Sequence, residues 1–560
     1  MHILYIDHYT GDRERFSLRT SHVPGGFTPD IVLTGAIRFR PCHFSFTVDS
    51  RKRFFENMRV SSTVLLSLVF QIVSSRFRLP YDVRPIQYTI TLKPDIDAGT
   101  FYGESAIDIV AENDRDELLI HACGLNVTHS SIDRTSTMLA ERKDEMLAIW
   151  IENGTITAGN HTLRFRYFGF LRESLGLVKA AYGTNNYSGY LVVNDFEPDG
   201  ARWAFPCFDE PRFKANFAIR LIAPNATYTA LSNMPRVPAS WGDTYDFVTS
   251  VKMSTYTVSF VITDYPHYEH VATLPNRTVP VRIYAHNATR INTEVVVGAA
   301  TAAIKFYSDY TGIDYQLPKL DMIEYNQTGN TASEYWGLIH FKQGLLTSDF
   351  DVFDDWQRRL VVSHELAHFW FGNLVTNEWW EDLWLQEGMA TFMSYKFMSE
   401  VYESPNIHID VLELFVVEKS GAKPLFYNLT SRNDTEDRFD KVVYEKAALL
   451  LKNLECLVGP DTFRKSVMEY LDKNAYGTIS TGQFVSLFEI NSAQPLVRAY
   501  LESFLCQRGF PVVSVREVNA TCYVITQDIY IDEHRQVTLL QIIYCTGWFK
   551  FKTTLSLGFL

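Results

Sequence analysis

The residues best suited to chemistry lie in one stretch. Val361 to Trp370 reads VVSHELAHFW and contains His364-Glu365-Leu366-Ala367-His368. On a helix, positions i and i+4 share a face, so both imidazoles can meet one ion. Zinc suits two histidines plus a carboxylate, with a fourth position left for water. Glu365, beside the first histidine, can reach that water as a general base. With 15 histidines in 560 residues, a chance His-Glu-x-x-His is expected about once in forty such chains. The third ligand is expected from a following helix. Glu387 stands eighteen intervening residues beyond His368, in Trp384-Leu385-Gln386-Glu387-Gly388-Met389-Ala390. A surface helix with two solvated histidines is the competing reading, and the neighbouring residues speak against it.

Elements must position these residues, and composition bounds what they can be. Hydrophobic residues are 46% of the chain and charged residues 21%, ordinary for a globular protein, which excludes wholesale disorder and low-complexity structure. Length suggests about three or four domains. Net charge is −13, so a nucleic-acid partner is not expected. Seven cysteines with no Cys-x-x-Cys pair exclude a cysteine-only zinc ribbon or a small disulfide scaffold.

Hydrophobic periodicity divides the chain. From Leu79 to about Pro275 the period is mostly two: Ile86, Tyr88, Ile90 and Leu92 alternate with polar residues, as do Tyr256, Val258, Phe260 and Ile262. This predicts a large β domain over 77–275. Over 276–509 the spacing turns helical, with helices expected at Glu294–Tyr310, Trp356–Asn373, Asp440–Val458 and Asp461–Asn474. From 510 to 560 β character returns, at Val512, Tyr523–Ile525 and Ile529–Ile531, in a tail too short for a complete further sandwich.

Val60 to Val73 is apolar, follows Met58-Arg59 and precedes Ser74-Ser75. Read from Met58, residues 58–75 form a signal peptide or a signal anchor; a buried helix or strand is the alternative. Residues 1–57 remain an unassigned extension, unless Met58 is the true start. Asn-x-Ser/Thr sequons occur at Asn126, Asn153, Asn160, Asn186, Asn225, Asn276, Asn287, Asn326, Asn428, Asn433 and Asn519. Chance predicts about three or four, so the chain is expected to be an exported glycoprotein, secreted or on the extracellular face of the plasma membrane and in the second case membrane-associated.

HELAHFWFGNLVTNEWWEDLWLQEGMA resembles the catalytic core of the M1 zinc aminopeptidases, a gluzincin family of the aminopeptidase N and aminopeptidase A type. Further blocks resemble the same family in the same order: LPYDVRPIQYTITLKPDIDAGTFY from Leu79, FEPDGARWAFPCFDEPRFKANF from Phe196, Ser232-Asn233-Met234-Pro235, LPKLDM from Leu317, and Tyr444-Glu445-Lys446. Together they cover about residues 77–515. The resemblance implies a multidomain fold: an N-terminal all-β saddle-like domain, a thermolysin-like, mostly α catalytic domain, and a partial β-sandwich at the C-terminus. It implies one zinc ion on His364, His368 and Glu387, Glu365 as general base, and Tyr444 as hydrogen-bond donor to the oxyanion. The substrates implied are peptides with a free N-terminus. By the family's pattern, the helical domain that closes over the active site in relatives is missing, and the chain is expected to be a truncated form.

An aminopeptidase must recognise a free ammonium, which carboxylates at the closed end of a cleft can do. The family uses Gly-x-Met-Glu-Asn; the equivalent here is Thr331-Ala332-Ser333-Glu334-Tyr335. Glu334 is kept and Ala332 would line the substrate site, whereas Thr331, Ser333 and Tyr335 depart from the pattern. Phe369 stands in place of the usual Gln, and Ala447 in place of Gly. Asp195 resembles the residue that holds calcium in the acidic-residue-preferring aminopeptidase A branch; the alternative is a strand-end Asp lining the first subsite. Cys207 reads as a packing thiol. Two other functions stay open: a catalytically impaired M1-like ectodomain acting as receptor or peptide binder, motivated by the altered 331–335 segment, and a gluzincin endopeptidase, against which Glu334 argues.

Overall fold

The computed structural model describes residues 78–519 except 185–186, 240, 328, 348–351, 405–422, 493 and 495, and then 522–532 and 535–545. Before residue 78 it describes four short strands, Leu4–Asp7 paired with Ser17–Thr20 and Arg38–Arg40 paired with His43–Ser45. The segment 58–75 lies outside the described residues. Among the described residues, no helix is long and apolar enough to cross a membrane.

The first part of the chain is β-rich. A seven-stranded sheet runs in the order Thr244–Asp246, Asn216–Ile222, Val83–Asp95, Thr100–Ala111, Gly159–Phe170, Asn126–Ile132, Thr135–Ser136. A four-stranded sheet packs Gly176–Thr184, Tyr187–Asp195, Phe260–Thr263 and Thr229–Ser232 side by side. The expected alternation holds for Tyr88, Ile90 and Leu92, which are buried, and fails at Ile86, which is exposed. The ladder between Val83–Asp95 and Thr100–Ala111 shifts register between Pro85 and Gln87. The inserted residue inverts which side chains face the core, as a bulge does. The second expected alternating segment also differs. Residues 254–262 are all buried, and only Phe260–Thr263 is strand, because this stretch runs between the β-rich part and the part that follows.

A five-stranded mixed sheet follows, in the order His267–Thr273, Thr278–Tyr284, Leu320–Tyr325, Leu338–Lys342, Ala332–Ser333. Its last strand pairs antiparallel, Ala332 with Phe341 and Ser333 with His340. Helices pack beyond it: α1 (Arg290–Thr311), α2 (Asp355–Ala367), α3 (Trp384–Tyr402), α4 (Arg432–Glu436) and α5 (Ala447–Val458). Asp354 starts α2 by accepting from the Gln357 backbone N–H, while the Gln357 side chain accepts from that of Asp354, a reciprocal cap. The helix stops at Ala367 rather than continuing to Asn373. Gly372 takes φ +139°, and the turn lets the Asn373 N–H bond the His368 carbonyl at 2.9 Å. From Trp384 to Met398, α3 is buried at every position but Lys396, as befits a helix surrounded on all sides. The C-terminal strands Phe510–Asn519, Cys522–Asp532 and Arg535–Cys545 form an antiparallel sheet.

One continuous hydrophobic cluster runs from Leu79 through the β-rich part to Leu505, so the two parts share a core. Arg432 of α4 adds a charged tie, holding both oxygens of Asp199 at 2.6 and 3.0 Å and Glu145 at 2.7 Å. Within the helical layer α3 comes close to α5: a Cβ on Gly388 would lie 2.4 Å from the Ala447 Cβ. Gly388→Ala is therefore expected to push α3 off α5 and destabilise the fold by about 1–3 kcal/mol, read as a lowered urea midpoint at unchanged m value.

Candidate active site

Two elements bring the predicted ligands together. His364 and His368 stand one turn apart at the end of α2, and Glu387 sits in the first turn of α3. His364 Nε2 and His368 Nε2 lie 3.0 Å apart, and Glu387 Oε2 is 3.5 Å from the first and 3.3 Å from the second. Donors about 2.0–2.2 Å from a tetrahedral zinc lie about 3.3–3.5 Å from each other. The two carboxylate–imidazole separations match this, the two nitrogens stand closer, and the donor types of the three atoms fit zinc.

The outer nitrogens are held as well. His368 Nδ1 is 3.2 Å from the Phe371 carbonyl, and His364 Nδ1 is 3.5 Å from the Thr391 hydroxyl. A proton on Nδ1 donating to that carbonyl leaves His368 Nε2 free as a ligand. Burial disfavours charge on both Glu387 and His368. Their mutual attraction outweighs it: the two imidazoles hold the Glu387 carboxyl below the usual carboxylate range, and Glu387 and Glu334 push His368 up. The site is thus built to carry positive charge beside Glu387, which a divalent cation supplies.

Glu365 is buried next to this cluster, and its carboxyl is pushed well up, by burial and by the charges of Glu334 and Glu387 against the pull of His368. Tyr444 lies in a π-helical turn, Val442–Lys446, immediately before α5. Its ring is 6.1 Å from that of His364 at an interplanar angle of 26°. Insertions of this kind are frequent at functional sites because they re-aim a side chain.

Glu334 leaves the edge strand and turns inward; its Oε1 is 4.0 Å from His368 Nδ1. The Asn373 side chain donates to its backbone carbonyl at 2.8 Å. Ala332 is half-buried on the same strand, two residues away. Beside Glu334 the structure places a carboxylate that the sequence reading did not single out, Glu197, which follows strand Tyr187–Asp195 of the β-rich part. Gln386 Nε2 donates to Glu197 Oε1 and to Glu334 Oε1, both at 3.0 Å, and the Tyr256 hydroxyl donates to Gln386 Oε1 at 3.0 Å. Glu197 lay within the recognised Phe196-Glu197-Pro198 block, and Gln386 directly precedes Glu387. Their types were visible, but not their meeting with Glu334.

Asp195 closes the strand Tyr187–Asp195. Its carboxylate accepts the Leu175 N–H at 3.1 Å, and burial raises its pKa. Among the described residues it belongs to none of the groups of three or more His, Cys, Asp or Glu that could hold a metal, so the expected calcium gains no support there. The departures from the family pattern have packing explanations. Tyr335 is buried; its ring lies 4.6 Å from that of His340, and its hydroxyl accepts the Phe196 N–H at 3.1 Å. Phe369 stacks on Tyr315, with ring centroids 5.8 Å apart. Ala447 is the residue that meets Gly388. Cys207 is fully buried, and burial raises its thiol pKa, which agrees with a packing role.

With this geometry in view, the comparisons with known proteins agree. The model of the peptidase M1 N-terminal domain matches residues 84–257, and that of the peptidase family M1 domain matches residues 296–504. The chain belongs to peptidase family M1. It is 33% identical over 472 residues to aminopeptidase A of Gloydius brevicauda, covering 80% of this chain and 48% of that protein. It is 32% identical to mitochondrial aminopeptidase 2 of Saccharomyces cerevisiae, covering 82% of this chain and 50% of that protein. It is 30% identical to endoplasmic reticulum aminopeptidase 1 of Mus musculus, covering 79% and 52%. The chain spans about half the length of the curated relatives it matches.

Replacing Glu387 by Gln is expected to weaken zinc binding at least about tenfold. Thr391→Val, which removes only the long contact to His364, should change it much less. Metal content by atomic emission after dialysis against graded chelator distinguishes the two.

Proposed function

We propose that this chain is the catalytic part of a zinc aminopeptidase that hydrolyses the first peptide bond of peptides with a free N-terminus. The observation that carries the reading is the placing of two carboxylates, the half-buried Glu197 and the buried Glu334, against the end of a His-His-Glu donor set. An endopeptidase has no use for an ammonium anchor; an exopeptidase gains its register from one.

His364, His368 and Glu387 hold the zinc, which when bound supplies a Lewis acid beside the scissile carbonyl. Glu365 takes the proton of the attacking water and returns it to the leaving amine. Tyr444 donates to the oxyanion as charge develops there. Glu334 and Glu197 receive the substrate ammonium, and Ala332 lies along the peptide. Asp195 lines the first subsite.

We read residues 77–275 as the family's saddle-like β domain, 276–509 as the thermolysin-like domain, and 510–560 as part of a β-sandwich, with 58–75 as the signal segment and 1–57 unassigned. Export is favoured by the sequons. Every sequon asparagine whose exposure is described is exposed, whereas the buried Asn194, Asn233, Asn373 and Asn377 all lie outside sequons. A secreted or cell-surface glycoprotein follows from this reading.

Two measurements test it. Aminoacyl fluorogenic amides should be hydrolysed and their N-acetylated forms should not. Glu365→Gln should lower kcat at least about a thousandfold with zinc retained, and Tyr444→Phe about a hundredfold or more. A zinc-loaded chain that turns over no aminoacyl amide would instead favour a peptide-binding ectodomain.

A further inference from the structure

A single nitrogen joins three distant segments at the closed end of the site. Gln386 Nε2 sits 3.0 Å from Glu197 Oε1 and 3.0 Å from Glu334 Oε1. Glu197 comes from the β-rich part, Glu334 from the edge of the five-stranded sheet, and Gln386 from the first turn of α3. An amide NH2 has two hydrogens, so one bond to each carboxylate uses both.

The amide cannot turn over freely. Its oxygen lies 3.0 Å from the Tyr256 hydroxyl, whose single hydrogen is shared between it and the Gly372 carbonyl, also at 3.0 Å. Reversed, the amide would aim its oxygen at two carboxylates. Its stem is confined as well: a Cβ on Gly372 would come within 3.1 Å of Gln386 Cγ and 3.3 Å of His368 Nδ1. Gln386 itself is 1% exposed.

Two carboxylates this close repel each other when both are charged, and burial strengthens the repulsion. A donor shared between them offsets it and fixes their spacing. The amide takes one oxygen from each, and the two carboxyls also lie within hydrogen-bond reach of each other, so an arriving ammonium replaces that direct contact while the amide bonds persist. An ammonium, with three N–H donors, needs such a pair of acceptors at a fixed separation.

We propose that Gln386 is the positioning residue of the ammonium anchor: its side-chain NH2 cross-links Glu197 and Glu334 at the separation that receives a peptide's α-ammonium group, and so sets affinity for free N-termini. This rests on the aminopeptidase reading above and adds to it a residue outside both the zinc set and the anchor carboxylates. Gln386 acts through the two carboxylates and takes no part in bond breaking.

Gln386→Met keeps the length and removes both donors. In the full zinc-loaded chain it should raise KM for a leucine amide about ten- to a hundredfold while kcat stays within about threefold. Inhibition by leucinamide-type α-amines should weaken in parallel. Inhibition by acetohydroxamate, which carries no amine, and zinc content should not change. Tyr256→Phe, which frees the amide oxygen and leaves both carboxylates in place, should shift KM the same way by a smaller factor and serves if the methionine variant does not fold. Unchanged KM and amine inhibition in a folded, zinc-loaded variant overturns the proposal. So does equal weakening of amine and hydroxamate inhibition, or lost zinc, since either means that Gln386 merely supports Glu387. If the wild-type chain hydrolyses no amide, the functional reading fails separately. Calorimetric binding of an α-amino amide against its N-acetyl form, to wild type and Gln386→Met, then decides the cross-link on its own.

Discussion

Everything in the site depends on one carboxylate oxygen, Glu387 Oε2, lying within 3.3–3.5 Å of two imidazole nitrogens. A buried carboxylate without a positive neighbour is costly, so this meeting dictates where the end of α2 and the start of α3 can lie. Further contacts keep them there. Gly388 lets α3 approach α5 closely, and Gly372 lets the chain turn sharply after His368, so that Phe371 offers its carbonyl to the outer nitrogen of that histidine. The turn also shortens α2 relative to what its apolar spacing suggests.

The β-rich part belongs to the site rather than merely adjoining it. Glu197 lies against Glu334, Tyr256 clamps the Gln386 amide, and Lys214 inserts a buried ammonium that donates to the carbonyls of Asn373 and Leu374 at 2.9 and 3.0 Å. Burial lowers the Lys214 pKa, and the two carbonyls accept two of its hydrogens. Asn373 in turn holds the Glu334 backbone. A chain of hydrogen bonds thus runs from the β-rich part through the turn after His368 to the anchor. The shared hydrophobic core and the Arg432 ties to Asp199 and Glu145 keep the two parts in register.

The altered residues around Glu334 are taken up by packing, and Glu334 still meets Glu197 through Gln386. Tyr335 fills buried space against His340 and takes the Phe196 N–H. It therefore links the segment carrying Glu334 to the segment carrying Glu197, which begins one residue beyond that amide.

The sequence alone determined the metal-binding face, because an i, i+4 pair on a helix is a local property that needs no knowledge of the rest of the fold. The order of β-rich and helical parts was legible for the same reason, through periodicities of two and near 3.6. Ile86 and the segment around Tyr256 and Val258 were misread because a bulge and double-sided burial break those periodicities without leaving a local signal. Glu197 and Gln386 could not be assigned from spacing, since they are 189 residues apart. Their bond exists only because two sheets and a helix pack around one core. The donor types were written in the chain; which carboxylates face each other, at what separation, and with which amide between them was decided by tertiary packing.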